Sequence, residues 1–210
     1  RLRTKSLLNF EINLLRDPKG SKHSIFIGGS IPPPPDLAGM SLMEVAQAMH
    51  DRGLPPLDQW QPEHVGDSEM RIAADGRWYH QGGEVKRTAM VRAFASLLLR
   101  DEDGQHWLVT PHQKLSIEVE DAGFIATDVK CEDGALAFRL NTDDLVIAGP
   151  DNPLSVEGTA EEPAAYVAVR HGTRARLDRS TWLQLAEIAL ANGDDPSVSS
   201  NGARFSLLPA

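Results

Sequence analysis

Cysteine is almost missing from this chain of 210 residues. Cys131 stands alone, which excludes a disulfide framework and a cysteine-based zinc site within one chain. The scarcity fits a reducing compartment, and a cytoplasmic location is the expectation. Basic charge is also short: 21 Lys and Arg against 30 Asp and Glu leave a formal net charge of -9. A surface of that sign repels phosphate backbones, so no nucleic-acid polymer is expected as a partner. No apolar run approaches the roughly 20 residues that span a bilayer. "SLLNFEINLL" is too short for a leader core and is broken by Glu11. A membrane partner is therefore not expected either. The phosphate loop G-x-x-x-x-G-K-[ST], the dinucleotide fingerprint G-x-G-x-x-G, H-E-x-x-H and G-x-S-x-G are all lacking, so no cofactor is expected and the balance leans away from an enzyme.

What is present is an ordinary globular composition, 41% hydrophobic and 24% charged, enough for one large core or two small ones. Residues 1–39 stand apart. They are rich in Gly, Pro and Ser, and residues 1–30 carry six Lys or Arg against two Asp or Glu. They are expected to be a disordered tail or upstream extension. Residues 40–57 read as a helix and a linker. Ser41 and Glu44 have capping-box spacing, Leu42, Val45, Ala46 and Met49 share a face, and "LPPLDQWQP" forces an extended connector.

From Met70 the hydrophobic period becomes two. "MRIAA", Asp75-Gly76 and "RWYHQ" read as a hairpin, followed by the helix "TAMVRAFASLLLR" with Thr88 as N-cap. "HWLVT" and "KLSIEVE" are strands; in the second, Leu115, Ile117 and Val119 share one face and Lys114, Ser116, Glu118 and Glu120 the other. "FIATDVKC" and "ALAFRLNT" form a hairpin about "EDG", and "DLVIAG" and "LSVEG" are shorter strands. "YVAVR", His171-Gly172 and "TRARL" form a further hairpin. A helix "STWLQLAEIALAN", capped by Ser180, and a strand "ARFSLLP" close the chain. The order hairpin, helix, loop, strand occurs twice, with Asp75-Gly76 answering His171-Gly172 and Pro111 answering Pro209. Neither copy buries a good core alone, so a duplicated β-β-α-β motif with its copies packed together is the economical reading.

Three clusters carry chemistry-bearing residues. His64, Asp67 and Glu69 lie within six positions, but neither helical nor strand spacing converges all three, and a polar connector fits them better than a metal site. Glu118, Glu120 and Asp121 lie at a strand end, with Lys114 on the face of the two glutamates. Paired carboxylates can serve acid–base chemistry, although such faces are commonly just solvated. Arg170, His171, Arg174, Arg176 and Arg179 crowd ten residues of an acidic chain. Arg174 and Arg176 share a strand face and suit a phosphate or carboxylate, or else ion pairs with nearby acids. Trp78 and Tyr79 sit on opposite faces of their strand, so one belongs to a core and the other is open to solvent.

"GDSEMRIAADGRWYHQG", "MVRAFASLLLR", "LVTPHQKLSIEVEDAGF", "RLNTDDLVIAGPDNPLSV" and "YVAVRHGTRARLDR" resemble, in order, the pattern of the bacterial domain-of-unknown-function family 1285. The similarity runs from about Trp60 to the C-terminus. It implies an α+β fold with a duplicated core, a C-terminal half superficially like a pleckstrin-homology barrel, a nucleotide-like ligand between the halves and a role in signalling. It transfers no catalytic residue. The chain departs from the pattern at Gln113, where a Glu is expected before Lys114, and at Gly123, where a Pro is expected.

The combined expectation is an α+β protein of two small packed lobes, 58–120 and 121–210. It is a ligand-binding or regulatory protein for a small anionic molecule held between the lobes. Lys114, Arg170 and Arg174 would contact its charge, Trp78 or Tyr79 would stack on it, and Glu120 or Asp121 would accept hydroxyls. The alternatives are a metal-dependent hydrolase or phosphoesterase using the acidic residues, and a protein-interaction module with a protein partner.

Overall fold

The computed structural model describes residues 11–16, 22–26, 54–191, 193 and 196–209. The helix read over 41–53 lies outside the described residues. In the N-terminal unit, β1 (Glu11–Arg16) and β2 (Lys22–Phe26) pair antiparallel.

Among the described residues, the remainder is mostly sheet with two helices. A 3-10 turn at Leu57–Gln59 leads into β3 (His64–Ile72), β4 (Trp78–His80) and β5 (Gly83–Glu84). Helix α1 (Thr88–Ser96) follows, then β6 (Leu98–Arg100), β7 (His106–Val109) and β8 (Gln113–Val119). These strands make one sheet in the order β5-β4-β3-β8-β7-β6. The next six are β9 (Phe124–Glu132), β10 (Ala135–Leu140), β11 (Leu145–Ile147), β12 (Leu154–Gly158), β13 (Pro163–Ala168) and β14 (Arg174–Leu177). Their order is β11-β10-β9-β14-β13-β12, the same arrangement position for position. Each sheet is two antiparallel meanders joined at the centre by a parallel pair, β3 with β8 and β9 with β14. Helix α2 (Arg179–Ala191) and the hairpin β15 (Ser197–Ser200) and β16 (Ala203–Ser206) complete the second lobe.

The duplication is therefore present, but the repeating unit is a whole six-stranded sheet, larger than a β-β-α-β run. Its register also differs from the echo read in the sequence. Asp75-Gly76, which turns β3 into β4, answers Asp133-Gly134, which turns β9 into β10. His171-Gly172 turns β13 into β14 and answers the β7–β8 connection near Pro111. The helices do not share a place in the repeat: α1 lies inside its lobe's run of strands, whereas α2 follows its own.

Four element ends differ from the sequence reading. β3 starts at His64, not Met70, because a bulge interrupts its alternation. The leucine run after α1 leaves the helix at Leu97 and becomes β6, since three consecutive apolar residues fit a short strand as well as a helix. Thr88 is the first helical residue of α1, and Arg87, at its N-cap, makes no side-chain capping bond. Helix α2 is capped by Asp178, whose Oδ1 accepts the Thr181 N–H at 2.7 Å, and not by Ser180.

Alternation sends one face of each sheet inward. Met70, Ile72, Trp78, Leu98, Leu108, Leu115 and Ile117 are buried in the first lobe, where the Trp78 ring stacks on Phe94 of α1. Phe124, Ala126, Phe138, Val167 and Leu177 are buried in the second, together with Leu185 of α2. Two hairpin tips seal the lobes together. Asn141 Nδ2 donates to the Gly76 carbonyl, and the Arg100 N–H donates to the His171 carbonyl at 2.9 Å. Two left-handed residues, His171 at φ 52° and Gly172 at φ 72°, make the second tip.

Candidate functional site

The outward face of the first sheet carries a cleft of about 860 Å³ lined by residues between Asp67 and Glu118, all of the first lobe. Its shape comes from β3. Asp67 faces Ser116 and Arg71 faces Glu118, so three residues of β3 span the place of one on β8. The surplus bulges outward, with Glu69 left-handed at φ 54°. Three bonds fix the bulge. The Glu69 N–H donates to Asp67 Oδ1 at 2.9 Å, the Met70 N–H to Ser68 Oγ at 3.2 Å, and Ser68 Oγ–H to the Ser116 carbonyl at 2.7 Å.

A second left-handed residue completes the rim. Gln81, at φ 49°, turns β4 into β5 with Gly82, and its side-chain amide donates to the Glu69 carboxylate. Arg71 sits 4.5 Å over the Tyr79 ring and is paired with Glu120, whose other oxygen accepts the Ala74 N–H at 2.9 Å. Ser116 Oγ–H donates to Asp67 at 3.2 Å. The cleft thus brings together three carboxylates, from Asp67, Glu69 and Glu118, one guanidinium, one phenol ring and neutral amide and hydroxyl groups. His64, at the start of β3, is not among its lining residues, and among the described residues no three His, Cys, Asp or Glu side chains form a set that could hold a metal ion.

A further constellation recurs at equivalent register in the two sheets. Trp107 on β7 faces Ser116 on β8, and Tyr166 on β13 faces Arg176 on β14. Two residues along, Val109 faces Lys114 and Ala168 faces Arg174. Lys114 Nζ lies 4.4 Å over the Trp107 ring, and Arg174 Cζ lies 3.9 Å over the Tyr166 ring. Each ring then donates its polar tip to an aspartate at 2.7 Å: Trp107 Nε1–H to Asp101, Tyr166 Oη–H to Asp121. The Trp107 bond lowers the Asp101 pKa. Burial, helped by the bond to Asp121, raises that of Tyr166.

Of the residues expected at a site, only Tyr79 lines the cleft. Glu120 stands behind it as the partner of Arg71. Trp78 is a correction: it is 1% exposed and packed on Phe94, so it has no face for a ligand. Arg170 is committed inside the lobe junction, donating to Asp144 at 3.1 Å and to the Ala95 carbonyl at 3.3 Å and lying over Phe124. Asp121 and Arg174 are together in the second lobe, and Lys114 is in the first with Trp107. Sequence reasoning passed over Arg71, Gln81, Trp107, Ser116 and Tyr166. A signal for the repeated station was available: Trp107 and Tyr166, Lys114 and Arg174, and the two Asp-Gly turns are all separated by about 60 residues.

Two family models match consecutive segments: "Domain of unknown function (DUF1285), N-terminal domain" over 55–122 and "Protein of unknown function (DUF1285), C-terminal domain" over 123–207. No curated protein matches the chain. Among solved structures, it is similar to a DUF1285 family protein from Silicibacter pomeroyi DSS-3, with 37% identity, TM-score 0.67, and coverage of 82% of this chain and 97% of that one. A DUF1285 family protein from Shewanella baltica OS155 matches at 21% identity and TM-score 0.47 over 56% of this chain and 90% of that one. Two lobes of one topology, each matched by its own half of the family pattern, and a 37% identical relative spanned almost end to end show that this chain belongs to the DUF1285 family.

Proposed function

We propose that the chain is a ligand-binding protein with a regulatory role, and that its ligand lies in the first-lobe cleft. The observation that carries this reading is the rim. Glu69 and Gln81 both hold left-handed backbone, bonded to each other, at the mouth of a concave site. Non-glycine residues in that region cost about 1 kcal/mol or more each, and such strain collects where a site needs preset geometry. The polar groups there are already engaged: Asp67 with Ser116 and the Glu69 N–H, Arg71 with Glu120. That pattern favours holding a ligand over activating a nucleophile.

The lining also selects the ligand. Three carboxylates against one guanidinium disfavour the nucleotide-like anion and favour a neutral hydroxyl-rich molecule or an ammonium compound, with Tyr79 as a flat wall. Thermal unfolding in the presence of millimolar sugars, polyols, polyamines and nucleotides tests this. A polyol or amine at 100 times its Kd should add about 2.7 kcal/mol of stability. The gain should vanish in Glu118→Ala and Tyr79→Ala. No stabiliser from either class, or stabilisation indifferent to both substitutions, would sink the reading.

A further inference from the structure

The second lobe carries its own charge station, remote in chemistry from the acidic cleft. Alternation along β12, β13 and β14 puts Glu157, Tyr166, Arg174 and Arg176 on one face of the second sheet. On an outward face a tyrosine ring is normally half open, yet Tyr166 is 4% exposed, because the guanidinium of Arg174 lies over it at 3.9 Å and that of Arg176 at 5.4 Å. Two like charges share one ring, and two carboxylates hold them there unequally. Asp121 is deeply engaged, accepting from Tyr166 Oη at 2.7 Å and from Arg176 Nη1 at 2.9 Å, with Arg174 Nη2 at 3.8 Å; its side chain is 18% exposed. Glu157 has one tie, to Arg174 Nη1 at 2.6 Å, and its side chain is 52% exposed.

We propose that Arg174 and Arg176 form a receptor for an oxyanion, a carboxylate or a phosphate, whose place is now held by the chain's own Glu157. An exposed ion pair is worth about 0–1 kcal/mol, so an incoming anion displaces Glu157 at little cost, while Asp121 stays and keeps the arginines aligned. The bonds of Arg176 to Asp121 and to Tyr166 both run through Nη1, which leaves Nε and Nη2 for the anion beside the freed Nη1 of Arg174. Arginine forks match the paired oxygens of such ligands. The first lobe supplies a built-in contrast. Its equivalent station has Lys114 for Arg174 and Ser116 for Arg176, one cation and no fork.

Titration of the full chain with inorganic phosphate and with acetate, at constant ionic strength, tests the proposal by calorimetry. Phosphate should bind, and Glu157→Gln should tighten it about five-fold by removing the resident carboxylate. In that background Arg174→Gln should abolish binding, Arg174→Lys should weaken it, and Lys114→Gln should leave it unchanged. A phosphate preference over acetate identifies a tetrahedral ligand, and the reverse a carboxylate. Far-UV circular dichroism of each variant reports whether the fold persists. The proposal is overturned if folded Glu157→Gln gains no affinity for either anion, or if folded Arg174→Lys or Lys114→Gln reverses the expected order.

Discussion

Trp78 fills the core of the first lobe, with 1% of its surface exposed. Alternation placed it opposite Tyr79 but could not say which of the two faced inward. The answer lies in α1, which presents Phe94 to its ring at a centroid distance of 6.1 Å. Trp78→Ala should therefore cost about 3–5 kcal/mol in urea unfolding, as loss of a large core side chain does, and not act selectively on binding. A loss under 1 kcal/mol would contradict its place in the core. Glu69 behaves in the opposite way. Glycine adopts its left-handed backbone freely, so Glu69→Gly should raise stability by up to about 1 kcal/mol while weakening ligand capture at the rim. The two measured together separate strain kept for a site from strain left over by folding.

At the scale of elements, strands with plain alternation were legible and bulges were not. The run Leu115, Ile117, Val119 announced β8, whereas Glu69 broke the period of β3 and hid six of its residues, His64 to Glu69, behind what read as a polar connector. The turn signals were firmer. His171-Gly172 reads as a hairpin tip and is one, but the sequence does not show that the tip presses on the other lobe. A Cβ on Gly172 would stand 2.4 Å from the Arg100 carbonyl oxygen, backbone that cannot step aside. Gly172→Ala adds that clash to left-handed strain and should cost at least about 2 kcal/mol, read as a lowered unfolding midpoint. The cap of α2 offers a milder test: Asp178→Ala should cost about 1 kcal/mol.

For the molecule as a whole, buried histidines near the junction between lobes add to the response to acid. His106 is buried at 9% exposure beside Arg100 on the neighbouring strand, and its Nε2 has no hydrogen-bond partner. Burial first, then the charges of Arg100 and Arg174, bring its pKa down to about 4. The unfolded chain, with a histidine near 6.5, binds the proton more readily, so stability falls as pH drops from about 6.5 to 4 and levels off below. Screening by water reduces the effect to about 1–2 kcal/mol. His171, lowered by its own burial against the pull of Asp58, adds loss of the same sign. Unfolding of His106→Gln across that range should show a flatter profile than the parent; an unchanged slope would remove His106 as a source. The repeated order of elements announced two lobes and the charge balance an acidic surface, but not which arginines face which acids, because pairings such as Arg92 with Asp143 and Arg170 with Asp144 join a helix and turns that meet only once the chain is folded.

The parallel pair at the centre of each sheet bears on how the protein is made. β3 meets β8, and β9 meets β14, so the first strand of each six-stranded sheet acquires its central neighbour only when that sheet's last strand has emerged. Contacts of that span slow folding, since a long loop must close before they form. Yet each span stays within its own lobe, and neither six-stranded sheet borrows a strand from the other. During synthesis the first lobe has all six of its strands once Val119 has left the ribosome, and it can serve as the surface on which the hairpin tips of the second lobe then settle.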